Sequence, residues 1–116
     1  MHDTFLLDDG PDEATRSLVP SGDLDAAAAA DIRNRIDQAL AAGKRCVIVD
    51  LSQITYMETA ALAALLDANA RLKRFGASLF VVIPGDSRVR LIFSITRLDK
   101  LLRVMETREE ALLASG

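Results

Sequence analysis

The sequence predicts an α/β fold: a single domain whose mixed, mostly parallel sheet carries packed helices, with a short β-ribbon at the N-terminus. Residues 45–51 and 78–83 hold continuous runs, Cys46-Val-Ile-Val and Leu79-Phe-Val-Val-Ile, without the alternation of a half-wetted strand. Such runs read as strands covered on both faces, the habit of parallel sheets. Around them lie helix-length segments with one apolar stripe each, so strands alternate with helices and right-handed crossovers follow. A chain of 116 residues makes one domain, 1–116. That length buries roughly two-thirds of its unfolded surface without help from disulfides or metal.

Taken in order, residues 4–7 and 16–19 are short strand candidates, separated by the turn-forming Asp8-Asp-Gly-Pro-Asp. Ser21-Gly22-Asp23 then turns the chain, and either Asp23 or Asp25 caps the helix that follows. Ile32, Ile36 and Leu40 give that helix its stripe, with alanines filling between, and Gly43 stops it. Asp50 ends the first buried strand. Residues 60–75 place Leu62, Leu65, Leu66, Asn69 and Leu72 on one face of an amphipathic helix that Gly76 terminates. The second buried strand stops at Pro84-Gly85. A shorter helix over 87–96 turns Val89, Ile92 and Phe93 inward; residues 101–104 form a last short strand and 109–114 a C-terminal helix.

Composition narrows the function. One histidine, His2, and one cysteine, Cys46, leave no material for a His/Cys metal cluster or an internal Cys–His nucleophilic pair, so no metal and no cofactor is expected. A net charge of −3 disfavours nucleic acid as the main partner, although eight acids and one base in residues 1–31 contrast with thirteen bases and nine acids in 32–116. Four Phe, one Tyr and no Trp supply few stacking platforms. The longest apolar run, residues 60–66, is far short of the roughly 20 that cross a bilayer, so no membrane insertion is expected. The acidic start does not resemble a signal peptide, and a lone cysteine suits a cytoplasmic protein. The balance points to a binding or signalling module, a monomer or weak dimer, rather than an enzyme.

Residues 53–62, QITYMETAAL, are the informative segment, with hydroxyls and a carboxylate between the central strand and the best helix. Thr55-x-x-Glu58 reads as a capping box that starts the helix near Tyr56; alternatively Thr59 is the N-cap and the helix runs from Ala60. Either way Thr59 sits at a helix N-terminus, where amides and the macrodipole favour added negative charge. Tyr56 and Met57 are either exposed contacts or core plugs. Asp50, at the carboxyl end of a strand, satisfies loop amides or works in a site. The Arg71, Lys73, Arg74, Arg88, Arg90 cluster is a solvated surface or a docking face, and Cys46 reads as a small core residue. Gly43-Lys44 lacks the remaining positions of a P-loop.

Four segments, in order, resemble the STAS domain of bacterial anti-sigma factor antagonists. They are Leu18-Val-Pro-Ser-Gly-Asp-Leu-Asp25, Val47-Ile-Val-Asp-Leu-Ser-Gln-Ile-Thr-Tyr-Met-Glu-Thr-Ala-Ala-Leu62, Gly76-Ala-Ser-Leu-Phe-Val-Val-Ile-Pro84 and Leu98-Asp-Lys-Leu-Leu-Arg-Val104. The resemblance covers residues 15–113 and implies the same mixed sheet. It further implies a non-enzymatic protein that binds an anti-sigma factor of the GHKL serine-protein kinase type and thereby frees a sigma factor. Phosphorylation by that kinase ends the capture and a phosphatase restores it. Position by position, Thr59 matches the phosphoacceptor, Glu58 the preceding acid and Leu62 the helix leucine. Ala60 and Ala61 stand where the family carries Ser and Gly, and Arg97 where a glycine is common after the third helix. The partner-binding residues implied are Asp23, Tyr56, Met57, Glu58, Thr59, Ala60, Ala61 and Leu62.

Two other readings compete. A small STAS subunit could scaffold a lipid-transport or stressosome complex, and pull-down separates it by retrieving a transporter ATPase or STAS partners instead of a kinase. A phosphotransfer component using Cys46 as carrier would need a reactive thiolate at a strand end, whereas Cys46 begins an apolar run.

Overall fold

The second strand organises the sheet. The computed structural model describes residues 5–8 and 14–115, and in it β1 (Phe5–Asp8) pairs antiparallel with β2 (Thr15–Leu24). The first half of β2 pairs in parallel with β3 (Cys46–Asp50), which pairs with β5 (Ser78–Val82), which pairs with β6 (Arg103–Met105). Its second half leaves β3 and pairs in parallel with β4 (Gln53–Met57), so the order is β1-β2-β3-β5-β6 with β4 branching from β2. Ser21-Gly22-Asp23 therefore forms no chain reversal. Gly22 has φ +79, a left-handed conformation that glycine takes without steric cost. Here it serves a register shift between Gly22 and Asp23 that hands the strand from one partner to the next. Of the turn expected at Asp8-Asp-Gly-Pro-Asp, residues 9–12 lie outside the described residues.

Helices α1 (Ala26–Ala41) and α2 (Thr59–Arg74) pack side by side on one face of the sheet. Asp25, not Asp23, caps α1: its Oδ1 accepts from the Ala28 amide at 2.9 Å. Ile32 and Ile36 of α1 and Leu65 and Leu72 of α2 are buried, with alanines at Ala28, Ala39, Ala61, Ala64 and Ala68 buried between them. Together with Leu18, Val47, Val49, Leu79 and Val81 they form the main core. β3 is buried along its whole length, as its unbroken apolar run requires. On the other face, among the described residues, lies α5 (Arg108–Ser115), whose Ala111 closes a smaller cluster with Cys46, Ile48, Phe80 and Val82. Among the described residues, no helix is long and apolar enough to cross a membrane.

The C-terminal third departs from expectation. α3 (Arg88–Ile95) begins where expected, its N-cap Ser87 Oγ accepting from the Arg90 amide at 3.1 Å. A single helical turn, α4 (Leu98–Leu101), then occupies part of the expected strand 101–104, and β6 starts two residues later than anticipated. Leu98 and Leu102 are buried while Lys100 between them is exposed, the pattern of a helical turn; a strand would put all three on one face. Arg97, joining α3 to α4, has φ 62 and ψ 21, a left-handed conformation in a non-glycine residue. α5 has a reciprocal cap in Thr107-x-x-Glu110: Thr107 Oγ1 accepts from the Glu110 amide at 3.1 Å, and Glu110 Oε1 accepts from the Thr107 amide at 3.2 Å.

Candidate functional site

The segment joining β3 to α2 is itself a strand. Ile54 opposes Gly22, Tyr56 opposes Asp23 and Met57 opposes Leu24. The register shift leaves Thr55 and Tyr56 both exposed between the buried Ile54 and Met57, a spacing of three that hid β4 from a search for alternation. Its ladder continues one residue further, since the Glu58 amide donates to Leu24 O at 3.0 Å.

That ladder overrides the local capping motif. Thr55 Oγ1 donates to Gly22 O at 3.3 Å and lies 3.5 Å from Asp23 Oδ1, so its side chain is committed to β2 and does not cap α2. Extended residues 53–57 cannot be the first helical turn, and α2 begins at Thr59 with Glu58 in the N-cap position. Both expected starts are thereby corrected: the helix begins neither near Tyr56 nor with Thr59 as cap. The Glu58 side chain makes no capping bond, and only its backbone carbonyl enters the helix, accepting from the Ala61 amide at 3.0 Å.

The expected contact residues divide by burial. Asp23, Tyr56 and Thr59 are exposed, and Glu58, Ala60 and Leu62 are half-buried. Tyr56 is 56% exposed, a large amphipathic side chain opposite the Asp23 carboxylate. Met57 and Ala61 are 6% and 0% exposed and belong to the main core, beneath that surface. Of the eight residues, six thus remain available around the α2 N-terminus. Thr59 is the first residue of α2, at the helix end whose opening amides lack partners one turn back.

The remaining candidates resolve separately. Asp50 is buried and its Oδ1 accepts from the Ser52 amide at 2.9 Å, a loop-stabilising role. The basic cluster does not hold together as one face: Arg71 pairs with Asp37 of α1 at 2.6 Å, whereas Arg90 donates to Ile83 O at 2.9 Å beyond β5. Cys46 is buried at the start of β3, away from the carboxyl ends of the strands where a phosphoryl carrier was considered. Among the described residues, no group of three or more His, Cys, Asp or Glu is gathered as a metal site.

A family model of the STAS domain matches residues 12–111 of this chain. Among solved structures, the chain is similar to an anti-sigma factor antagonist from Mycobacterium paratuberculosis, with 24% identity and a TM-score of 0.81 over 97% of this chain and 92% of that one. It is similar to a putative anti-sigma factor antagonist from Thermotoga maritima at 19% identity, TM-score 0.81, covering 98% and 96% of the two chains. SpoIIAA, an anti-sigma factor antagonist, is similar in its unphosphorylated form at 21% identity, TM-score 0.72, with 93% and 94% covered. Its phosphorylated form, described as a Bacillus cell fate determinant, matches at 21% identity and TM-score 0.68 over 93% and 96%.

Proposed function

Because this chain belongs to the STAS domain family, we propose that it is an anti-sigma factor antagonist switched through Thr59. In its unphosphorylated form it captures a kinase-type anti-sigma factor of the GHKL class and so frees a sigma factor. The docking face is Asp23, Tyr56, Glu58 and Thr59, with Ala60 and Leu62 at its margin. The observation that carries this reading is that Thr59 is exposed at the first residue of α2, directly after Glu58 and close in sequence to the exposed Tyr56, which is strand-paired with Asp23.

The chemistry asked of this chain is small. The kinase supplies ATP, Mg²⁺ and a base, and the substrate need only present a positioned hydroxyl. The γ-phosphoryl bond to ADP breaks, a bond from phosphorus to Thr59 Oγ1 forms, and the hydroxyl proton passes to the kinase. The product is locally tolerated, since amides at the α2 N-terminus and the helix dipole favour a phosphate there. What changes is the docking face, which gains nearly two negative charges beside Glu58 and Asp23. A partner surface shaped for the neutral hydroxyl must then desolvate that charge, and capture ends. A phosphatase reverses the switch.

One departure from the family pattern, Ala61 in place of glycine, is compatible with this reading. The Ala61 methyl is buried in the core, so it does not crowd an approaching kinase. Its position inside a regular helix requires no glycine conformation. SpoIIAA exists in unphosphorylated and phosphorylated forms, which supports a switch of the same kind here. The test is incubation with a GHKL-type anti-sigma factor from the same genome, ATP and Mg²⁺, followed by intact mass. One phosphate on the wild type and none on Thr59→Ala is expected. No phosphate on the wild type, or full incorporation on Thr59→Ala, overturns the switch.

A further inference from the structure

We propose that a cavity at the other end of α2 binds small planar aromatic anions, a site independent of the docking face. It lies between the C-terminal ends of α1 and α2 and the turn into β3, and has a volume of about 420 Å³. Small-molecule sites run from roughly 300 to 1,000 Å³ and combine an apolar wall with a few polar groups. Thr59 and Arg74 bound α2, whose length of about 24 Å, at 1.5 Å per residue, separates this cavity from the phosphoacceptor.

The wall is apolar on one side and cationic on the other. Leu40 of α1 and Phe75, the residue closing α2, provide the apolar side. Phe75 is 62% exposed, so most of its ring lacks cover from the chain itself. Lys44, Arg45 and Arg71 line the rest and, among the described residues, Asp37 is the one carboxylate in the lining. Part of that positive charge answers the negative ends of the two helix dipoles: Arg45 Nη2 donates to Gly76 O at 3.3 Å, just past α2. Arg71 is different. Its Nη2 holds Asp37 Oδ1 at 2.6 Å, while its Nε lies out of water without an acceptor. A guanidinium presents donors suited to bidentate carboxylate recognition, and this one is engaged on a single nitrogen. The Arg71 side chain is 42% exposed and able to turn toward an incoming carboxylate. A flat aromatic body against Phe75 and Leu40, with one carboxylate among the cations, matches both halves of the cavity.

The probe is 1-naphthoate, titrated into the uniformly ¹⁵N-labelled protein and followed by amide shifts. Saturable shifts at Leu40, Gly43, Lys44, Phe75 and Gly76 are expected, with a Kd at or below about 1 mM for a ligand of this size. The neutral analogue 1-naphthalenemethanol should bind about tenfold more weakly, because it lacks the charge-assisted hydrogen bonds. Phe75→Ala and Lys44→Gln should each weaken naphthoate, with circular dichroism unchanged. Asp37→Asn should tighten it by releasing Arg71 and raising the positive surplus, a gain that misfolding does not mimic. Absent or non-saturating shifts, shifts clustered elsewhere, equal affinity for the alcohol, or unchanged affinity in all three variants would overturn the site. The Thr59 switch stands or falls separately, since none of these measurements involves the docking face.

Discussion

Replacing Arg97 with glycine should stabilise the protein. Among the described residues Arg97 is the one non-glycine with positive φ, at φ 62 and ψ 21. An L-residue in this region carries its Cβ too close to the neighbouring carbonyl, at a cost of roughly 1–2 kcal/mol that glycine does not bear. Against that, a glycine adds about 0.5–1 kcal/mol of unfolded-state entropy to be lost on folding. Arg97 is exposed, so removing its side chain sacrifices little packing. Its backbone bonds, from its amide to Ser94 O at 3.2 Å and from the Lys100 amide to its carbonyl at 3.1 Å, survive the change. The net expectation is a gain of about 0.5–1 kcal/mol. For a domain of this size that raises Tm by about 2–5 °C. Urea unfolding followed by far-ultraviolet circular dichroism should show a higher midpoint at unchanged slope. Arg97→Ala is the control, because alanine retains the Cβ; it should stay within about 0.5 kcal/mol of wild type. A glycine variant no more stable than wild type would mean that the α3–α4 connection carries no backbone strain.

Three further expectations concern the α2 N-terminus, the α1 cap and the lone thiol. Thr59→Asp should leave circular dichroism and stability unchanged while weakening anti-sigma capture by about 2–5 kcal/mol, the penalty for an unpaired charge at an interface; unchanged affinity in calorimetry would remove this face from the interface. Asp25→Ala should destabilise by about 1 kcal/mol through loss of the α1 cap, whereas Asp23→Ala should affect capture alone; equal stability losses on urea unfolding would contradict the capping geometry. Cys46 should react slowly with a thiol reagent in the folded protein and rapidly in urea, and fast labelling without denaturant would place it outside the core.

The sequence by itself determined the elements whose signal is local and strong. β3 and β5 were legible because strands buried on both faces need unbroken apolar runs, and α1, α2 and α3 because a one-sided core needs helical spacing. Thr59 was placed near a helix start by its position after the central strand and before the alanine-leucine run. Tertiary structure decided the rest wherever a long-range pairing competed with a local motif. Ser21-Gly22-Asp23 has turn chemistry, yet β3 and β4 supply hydrogen-bond partners on successive stretches and keep β2 extended. Thr55-x-x-Glu58 has capping-box spacing, yet the β2 ladder extends through Glu58 and draws the Thr55 hydroxyl away. Local propensity is worth tenths of a kcal/mol per residue, so a backbone ladder anchored by the buried Leu24, Ile54 and Met57 outweighs it. The same competition sorted the residues proposed for docking. Nothing in the order of residues 56–62 tells which side chains point inward; packing against the sheet buried Met57 and Ala61 and left Tyr56 and Thr59 in solvent, because only the assembled core defines which side of the segment is inside.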